Sequence, residues 1–206
     1  MAQARACAEL QKRYRHHHHP RHIQDRMLPR SLPPVFVWIS TGLKNPTPAP
    51  PRRQTVLTQL NCRVHPQLLG VLAGQPVDFA NNDPFPTHFH IAASAPGNPS
   101  FELSLPPQKP GQVRSFPHPE LMIPVTSPDR HSMHAYINVV SNPFFTVSGP
   151  QGHFLIGGLS PGVYTLSAIR PGHAVQSQTI TVKANAVAQT SFTFPAASSL
   201  PPGNGK

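Results

Sequence analysis

Acidic residues are scarce. The 206-residue chain carries 7 Asp and Glu against 17 Lys and Arg, a formal charge of +10 with neutral histidines. Glu9 and Asp25 lie near the N-terminus, which leaves Asp78, Asp83, Glu102, Glu120 and Asp129. None forms a recognisable carboxylate pair, so acid–base hydrolysis on two carboxylates has no basis. Two cysteines are too few for a disulfide framework or a cysteine-rich zinc site. Cys7 and Cys62 are left as one bridge in an oxidising compartment, or as two thiols with Cys62 buried. No apolar run approaches the ~20 residues of a spanning helix, so no membrane span is expected. A secretory signal pattern is also lacking at the N-terminus. Asp129-Arg130-His131 lies near Ser127 and Ser132, but a catalytic triad is assembled in space and not by adjacency. Gly157-Gly158 precedes a turn, not a helix, and is no phosphate loop. The chain is expected not to be an enzyme.

What the chain has in abundance is punctuation. There are 28 prolines and 13 glycines, which excludes a helical bundle because proline breaks helix interiors. Between them run short strand-like stretches, near 35–39, 55–59, 68–72, 76–79, 88–92, 101–105, 112–116, 121–125, 133–140, 144–147, 153–156, 163–169, 175–182 and 188–194. Many short strands separated by Gly, Pro and Asn predict an all-β sandwich or barrel. The last third is the clearest: Thr179-Ile180-Thr181-Val182 and Thr190-Ser191-Phe192-Thr193-Phe194 alternate with period two, and Ser160-Pro161-Gly162 is a turn. The expected organisation is a basic, His-rich disordered arm at 1–32, one β-domain at 33–140, a small β-sandwich at 141–195 and a disordered tail at 196–206. The arm holds seven of the basic residues together with His16 to His19 and His22. A basic arm attracts anionic partners, but no basic groove studded with aromatics follows it, so nucleic acid is not an expected partner.

Three stretches carry a family resemblance: Val35-Phe36-Val37-Trp38-Ile39 with Thr41-Gly42-Leu43; Leu57-Thr58-Gln59 through Cys62 and Pro66 to Gly74; and the run from Val77 to Tyr164. Within them, Asn82-Asp83-Pro84, Phe101-Glu102-Leu103-Ser104, Met133-His134-Ala135-Tyr136-Ile137 and Asn142-Pro143-Phe144-Phe145-Thr146-Val147 follow the family's order and spacing. On these residues the chain resembles bacterial exported cupredoxin-like proteins of the plastocyanin-like, methylamine-utilisation type, with a C-terminal carboxypeptidase-regulatory-like domain. The resemblance implies a cupredoxin-like Greek-key sandwich followed by a small transthyretin-like sandwich. It implies a periplasmic or secreted location, with a further strand and an export signal encoded upstream of Met1. Cys7-Ala8-Glu9-Leu10 is similar to the family's N-terminal cysteine segment.

The resemblance also places a copper site. A type 1 centre uses two imidazoles, one thiolate and a weak axial thioether. Counting back from Met133-His134-Ala135-Tyr136 puts Ser127 at the thiolate position and Arg130 at the loop histidine. An ungapped count from Asp83-Pro84 puts Thr87 at the first histidine, and a one-residue bulge would put His88 there. Of the family's ligands only Met133 remains. A hydroxyl is a poor soft donor and Arg130 adds a fixed positive charge, so no cofactor is expected. His88, His90, His131 and Met133 remain candidates for a looser copper or zinc site, with His134 beside them. The expected role is a binding or structural module with a degenerate copper site. Residual metal binding at the His/Met rim is one alternative. Association with a glycan or a cell-envelope protein through the C-terminal sandwich is the other.

Overall fold

The computed structural model describes residues 7, 9, 10, 12, 32–44, 54–108, 110–128 and 130–195, without the side chains of Arg130, His131 and Ser132. The expected tail at 196–206, the proline-rich 45–53, and His16 to His19 with His22 lie outside the described residues. No helix among those described is long and apolar enough to cross a membrane.

The chain is all-β. Among the described residues, thirteen strands form three sheets. The first contains β4 (Leu68–Leu72), β10 (Arg130–Val140), β9 (Glu120–Ser127), β6 (Thr87–Ile91) and β7 (Phe101–Leu105), hydrogen-bonded in that order. The second contains β3 (Arg63–His65), β2 (Thr55–Leu60), β5 (Val77–Asn81) and β8 (Gln112–Arg114). Their facing sides bury one apolar core that includes Leu57, Phe79, Phe89, Ile91, Ile123 and Ile137. Period-two alternation produces it: on β5, Val77, Phe79 and Asn81 are buried while Asp78 and Ala80 are half-buried. Each fully buried Phe or Ile contributes roughly 1.5–3 kcal/mol over leaving it exposed.

The third sheet has the order β11 (Phe145–Val147), β1 (Phe36–Thr41), β12 (Gly162–Ile169) and β13 (Gln176–Val182). The sequence placed 35–39 in the first unit, 33–140. In the structure that segment pairs antiparallel with β11 and β12 instead. Its composition explains why it can do so. Phe36 and Trp38 face the first sheet and pack with Leu68, Leu72 and Val140. Val37 and Ile39 face the opposite way and pack with Tyr164, Leu166 and Ala168. A strand apolar on both faces suits a middle layer. The first sheet therefore has a core on each side of its β4–β10 end. Gly70, between Leu69 and Val71, permits the approach: a Cβ there would sit 2.5 Å from Phe36 Cε2 and 2.8 Å from the Phe145 ring.

Two expected strands form no ladder. The segments 153–156 and 188–194 run over the outer face of the third sheet without strand pairing. They still alternate: Phe154 and Ile156 turn inward with Phe192 and Phe194, while Leu155 is 76% exposed. One short strand, β3, was not expected.

The first residues depart from the expectation of a free arm at 1–32. Cys7 is fully buried in the main core, Leu10 packs against it, and a disulfide joins Cys7 to Cys62 with a Cα–Cα distance of 5.8 Å. The count of two cysteines had left this bridge as one of two alternatives, and Cys7-Ala8-Glu9-Leu10 is the segment similar to the family's N-terminal cysteine segment.

Candidate functional site

The residues at issue sit at one end of β6, β9 and β10. On β6, Thr87, Phe89 and Ile91 are buried, and His88 and His90 are exposed. The register with β7 sets Thr87 opposite Leu105, His88 opposite Ser104 and His90 opposite Glu102. The two histidines thus share a face, as period two requires, and that face is the outer one. His90 Nδ1 lies 3.6 Å from Glu102 Oε1, with both side chains well exposed, so the pair is weak.

On β9, Ser127 is buried. Arg130 pairs with Ser127 and His134 with Thr126, so residues 131–133 are extra on the β10 side. The loop expected to carry ligands is absorbed into this hairpin irregularity. Met133 is buried in the main core, as is Ala135, and His134 between them is exposed with its ring edge-on to Tyr136 at 6.3 Å. The side chains of Arg130 and His131 lie outside the described residues.

The sheet therefore divides the candidates. Thr87, Ser127 and Met133 turn inward; His88 and His90 turn outward. Met133 and the exposed pair are on opposite faces. Among the described residues, Thr87 Oγ1 and Ser127 Oγ are buried without a hydrogen-bond partner, an arrangement that costs roughly 1–3 kcal/mol each. Among the described residues, no three or more of His, Cys, Asp and Glu gather where a metal ion could be held.

Two polar clusters, one before β6 and one at the opposite end of β9, have structural tasks that sequence inspection did not assign. Asp83, within Asn82-Asp83-Pro84, is 1% exposed and accepts three hydrogen bonds: from Gln59 Nε2 at 2.7 Å, Asn61 N at 2.6 Å and Cys62 N at 2.8 Å. Asn61 and Cys62 both have positive φ, at 52° and 59°. The carboxylate thus holds the turn that presents Cys62 to Cys7. The positive φ region is uncommon for such residues, and the three donors over-determine it. A signal existed in the short polar Asn-Asp-Pro turn, but its partners are about twenty residues away and only folding brings them together.

Glu120, at the start of β9, is the second. Partial desolvation raises its carboxyl pKa. Hydrogen bonds from Asn98 Nδ2 at 2.9 Å, Ser94 N at 2.6 Å and Ser94 Oγ at 2.7 Å outweigh this and hold it below its ordinary 4.5.

No protein-family model matches the sequence, and no curated protein matches it either. Solved structures do. A copper(I) amicyanin mutant is 14% identical over 42% of this chain and 82% of its own, with a TM-score of 0.37. Amicyanin from Paracoccus versutus is 12% identical over 50% of this chain and 97% of its own, with a TM-score of 0.37. A copper-containing nitrite reductase from Thermus scotoductus is 19% identical over 50% of this chain but only 25% of its own, with a TM-score of 0.37.

Proposed function

We propose that this chain is a non-enzymatic, exported binding or structural module of cupredoxin type whose type 1 copper site is degenerate. The reading rests foremost on Ser127. It occupies the place where the resemblance requires a thiolate, its side chain is buried, and its hydroxyl has no partner among the described residues. A serine hydroxyl does not ionise near neutral pH and is a hard, weak donor toward copper. Thr87, at the first imidazole position, offers a second hydroxyl, and Met133 alone is a soft donor. Two hydroxyls and a thioether do not fit the group, so no electron-transfer step is derived through it.

The two units of the proposal are 33–140, of cupredoxin type, and 141–195, of carboxypeptidase-regulatory-like type, with β1 lent by the first to the sheet of the second. The Cys7–Cys62 bridge supports a periplasmic or secreted location, since such bonds persist in oxidising compartments. His88 and His90 on one exposed face, with Glu102 opposite His90, favour a second reading: loose copper or zinc binding at the rim with His131 and without Met133.

Adding Cu(II) to the purified protein and recording the visible spectrum tests the first reading. No intense absorption near 600 nm (roughly where Cu–thiolate charge transfer falls) is expected, and such a band would refute it. Titration with Zn(II) or Cu(II), repeated with His88, His90 and His131 changed to alanine, tests the second. Unchanged binding in those variants removes the rim as the site.

A further inference from the structure

The third sheet ends on an open edge. β13 is hydrogen-bonded to β12 on one side, and the register runs without a break from Gly162 opposite Val182 to Ala168 opposite Gln176. Among the described residues, no backbone group pairs with its other side. The segment 188–194 does not take that place: it lies over the outer face, where the Gln176 and Gln178 amides donate to Thr193 O and Ser191 O.

An exposed edge invites another strand, and proteins guard such edges with charge, proline, bulges or shortness. The other sheet edges among the described residues are guarded or covered. β3, β8 and β11 have three residues each, β7 carries the exposed Glu102, and β4 is packed against the third sheet through Leu68 and Leu72. β13 has seven residues, Gln176-Ser177-Gln178-Thr179-Ile180-Thr181-Val182, with no charge, proline or bulge. In a chain of formal charge +10, no Asp, Glu, Lys or Arg lies between Arg170 and Lys183.

A ladder of hydroxyls runs toward this edge on the face that carries Trp38. Ser167 Oγ donates to Ser40 Oγ at 2.8 Å and lies 2.8 Å from Ser177 Oγ. Thr41 Oγ1 donates to Thr165 Oγ1 at 2.7 Å, and Thr165 stands opposite Thr179. β1, β12 and β13 thus match hydroxyl to hydroxyl, as favourable cross-strand pairs do. Ser177, Thr179 and Thr181 are exposed at the end of the series.

We propose that β13 is a homodimer interface. The β13 of a second copy pairs antiparallel with it about a two-fold axis at Thr179, so that two four-stranded sheets become one. A two-fold contact demands a self-complementary strand, and this one is. Thr179 meets its own counterpart and Ser177 meets Thr181 of the copy, which continues the hydroxyl ladder across the axis. On the other face Gln176 meets Val182 and Gln178 meets Ile180. Lys183 falls beyond the pair, opposite Val175 of the copy. The two Lys183 positions are then separated by about eight residues of strand, roughly 27 Å, well past the ~8 Å screening length at physiological salt. A strand of another protein would pair the backbone without repeating the hydroxyls. Of the chain's own flanks, 45–53 and 196–206 are broken by Pro46, Pro48, Pro50, Pro51, Pro201 and Pro202, which have no N–H to pair. The inference goes beyond the function proposed above and does not depend on it.

Sedimentation equilibrium of the full, disulfide-bonded chain between about 10 µM and about 1 mM is the test. The mass should rise from 22.4 kDa toward twice that value. Thr179→Lys sets like charges face to face on the axis and should weaken association at least about tenfold, as should Thr179→Glu. Thr179 is exposed, so neither change touches a core. An equimolar mixture of the two variants sets opposite charges there and should restore the dimer. In the unsubstituted protein, the amides of 176–182 that exchange freely at low concentration should slow at high concentration. A monomer throughout the range would overturn the proposal, as would association that Thr179→Lys leaves unchanged. Failure of the mixture to associate would show that the strands do not meet about Thr179, and the proposal falls with it. Protection of all these amides independent of concentration would show that the chain's own flanks close the edge, which also overturns it.

Discussion

The two halves of this molecule bury apolar residues in different ways. The N-terminal sandwich closes its core between two hydrogen-bonded sheets, with Phe79, Phe89 and Phe116 almost wholly buried and a disulfide at one end. The C-terminal layer has one such sheet. Its inner face is sealed against the sandwich by Phe36 and Trp38, but its outer face lies under two segments with no ladder between them. Phe154, Phe192 and Phe194 are there only partly buried. Apolar content alone therefore does not make a closed core; backbone pairing must hold the second wall in place.

The largest test of this contrast is the bridge. Replacing Cys62 by serine opens a loop of 55 residues, which in the chain-entropy estimate costs about 4 kcal/mol. Denaturant unfolding should show a single large drop in midpoint. A drop confined to a minor transition would mean that the bridge is peripheral to the main core. Next is a paired truncation. Phe79→Ala should cost about 3–5 kcal/mol, whereas Phe192→Ala, half-buried beside a cavity, should cost about 1–2 kcal/mol. Equal losses by chemical denaturation would show that the C-terminal layer is as tightly packed as the sandwich. The smallest effect concerns acid. The folded Glu120 pKa is depressed, so its contribution is present above the ordinary 4.5 and is lost as pH falls through the folded value. Glu120→Gln should lower stability at neutral pH slightly and flatten the acid limb below about pH 4.5. An unchanged acid limb would show that the Ser94 and Asn98 contacts do not persist in solution.

The strand positions were legible because period-two alternation is local: β4 and β7 fall at the expected residues, and most others within two. The alternation also revealed that His88 and His90 share a face. It was silent on which face, because that depends on what lies across the sheet. The segments 153–156 and 188–194 show the limit of the same signal: they have the pattern of strands and the burial of strands, but among the described residues no strand pairs with them in a backbone ladder.

By itself, the sequence determined the all-β class, the turns that Pro, Gly and Asn impose, and the hydroxyl at position 127. These follow from local backbone preference and from the chemistry of a single side chain. Only the tertiary structure decided that β1 joins the C-terminal sheet, that Thr87, Ser127 and Met133 turn inward while the histidines turn out, and that Asp83 holds the Cys62 turn. Each of these is a pairing between residues far apart in the chain. Such pairings are set by which surfaces can be buried together, and no local pattern encodes that choice.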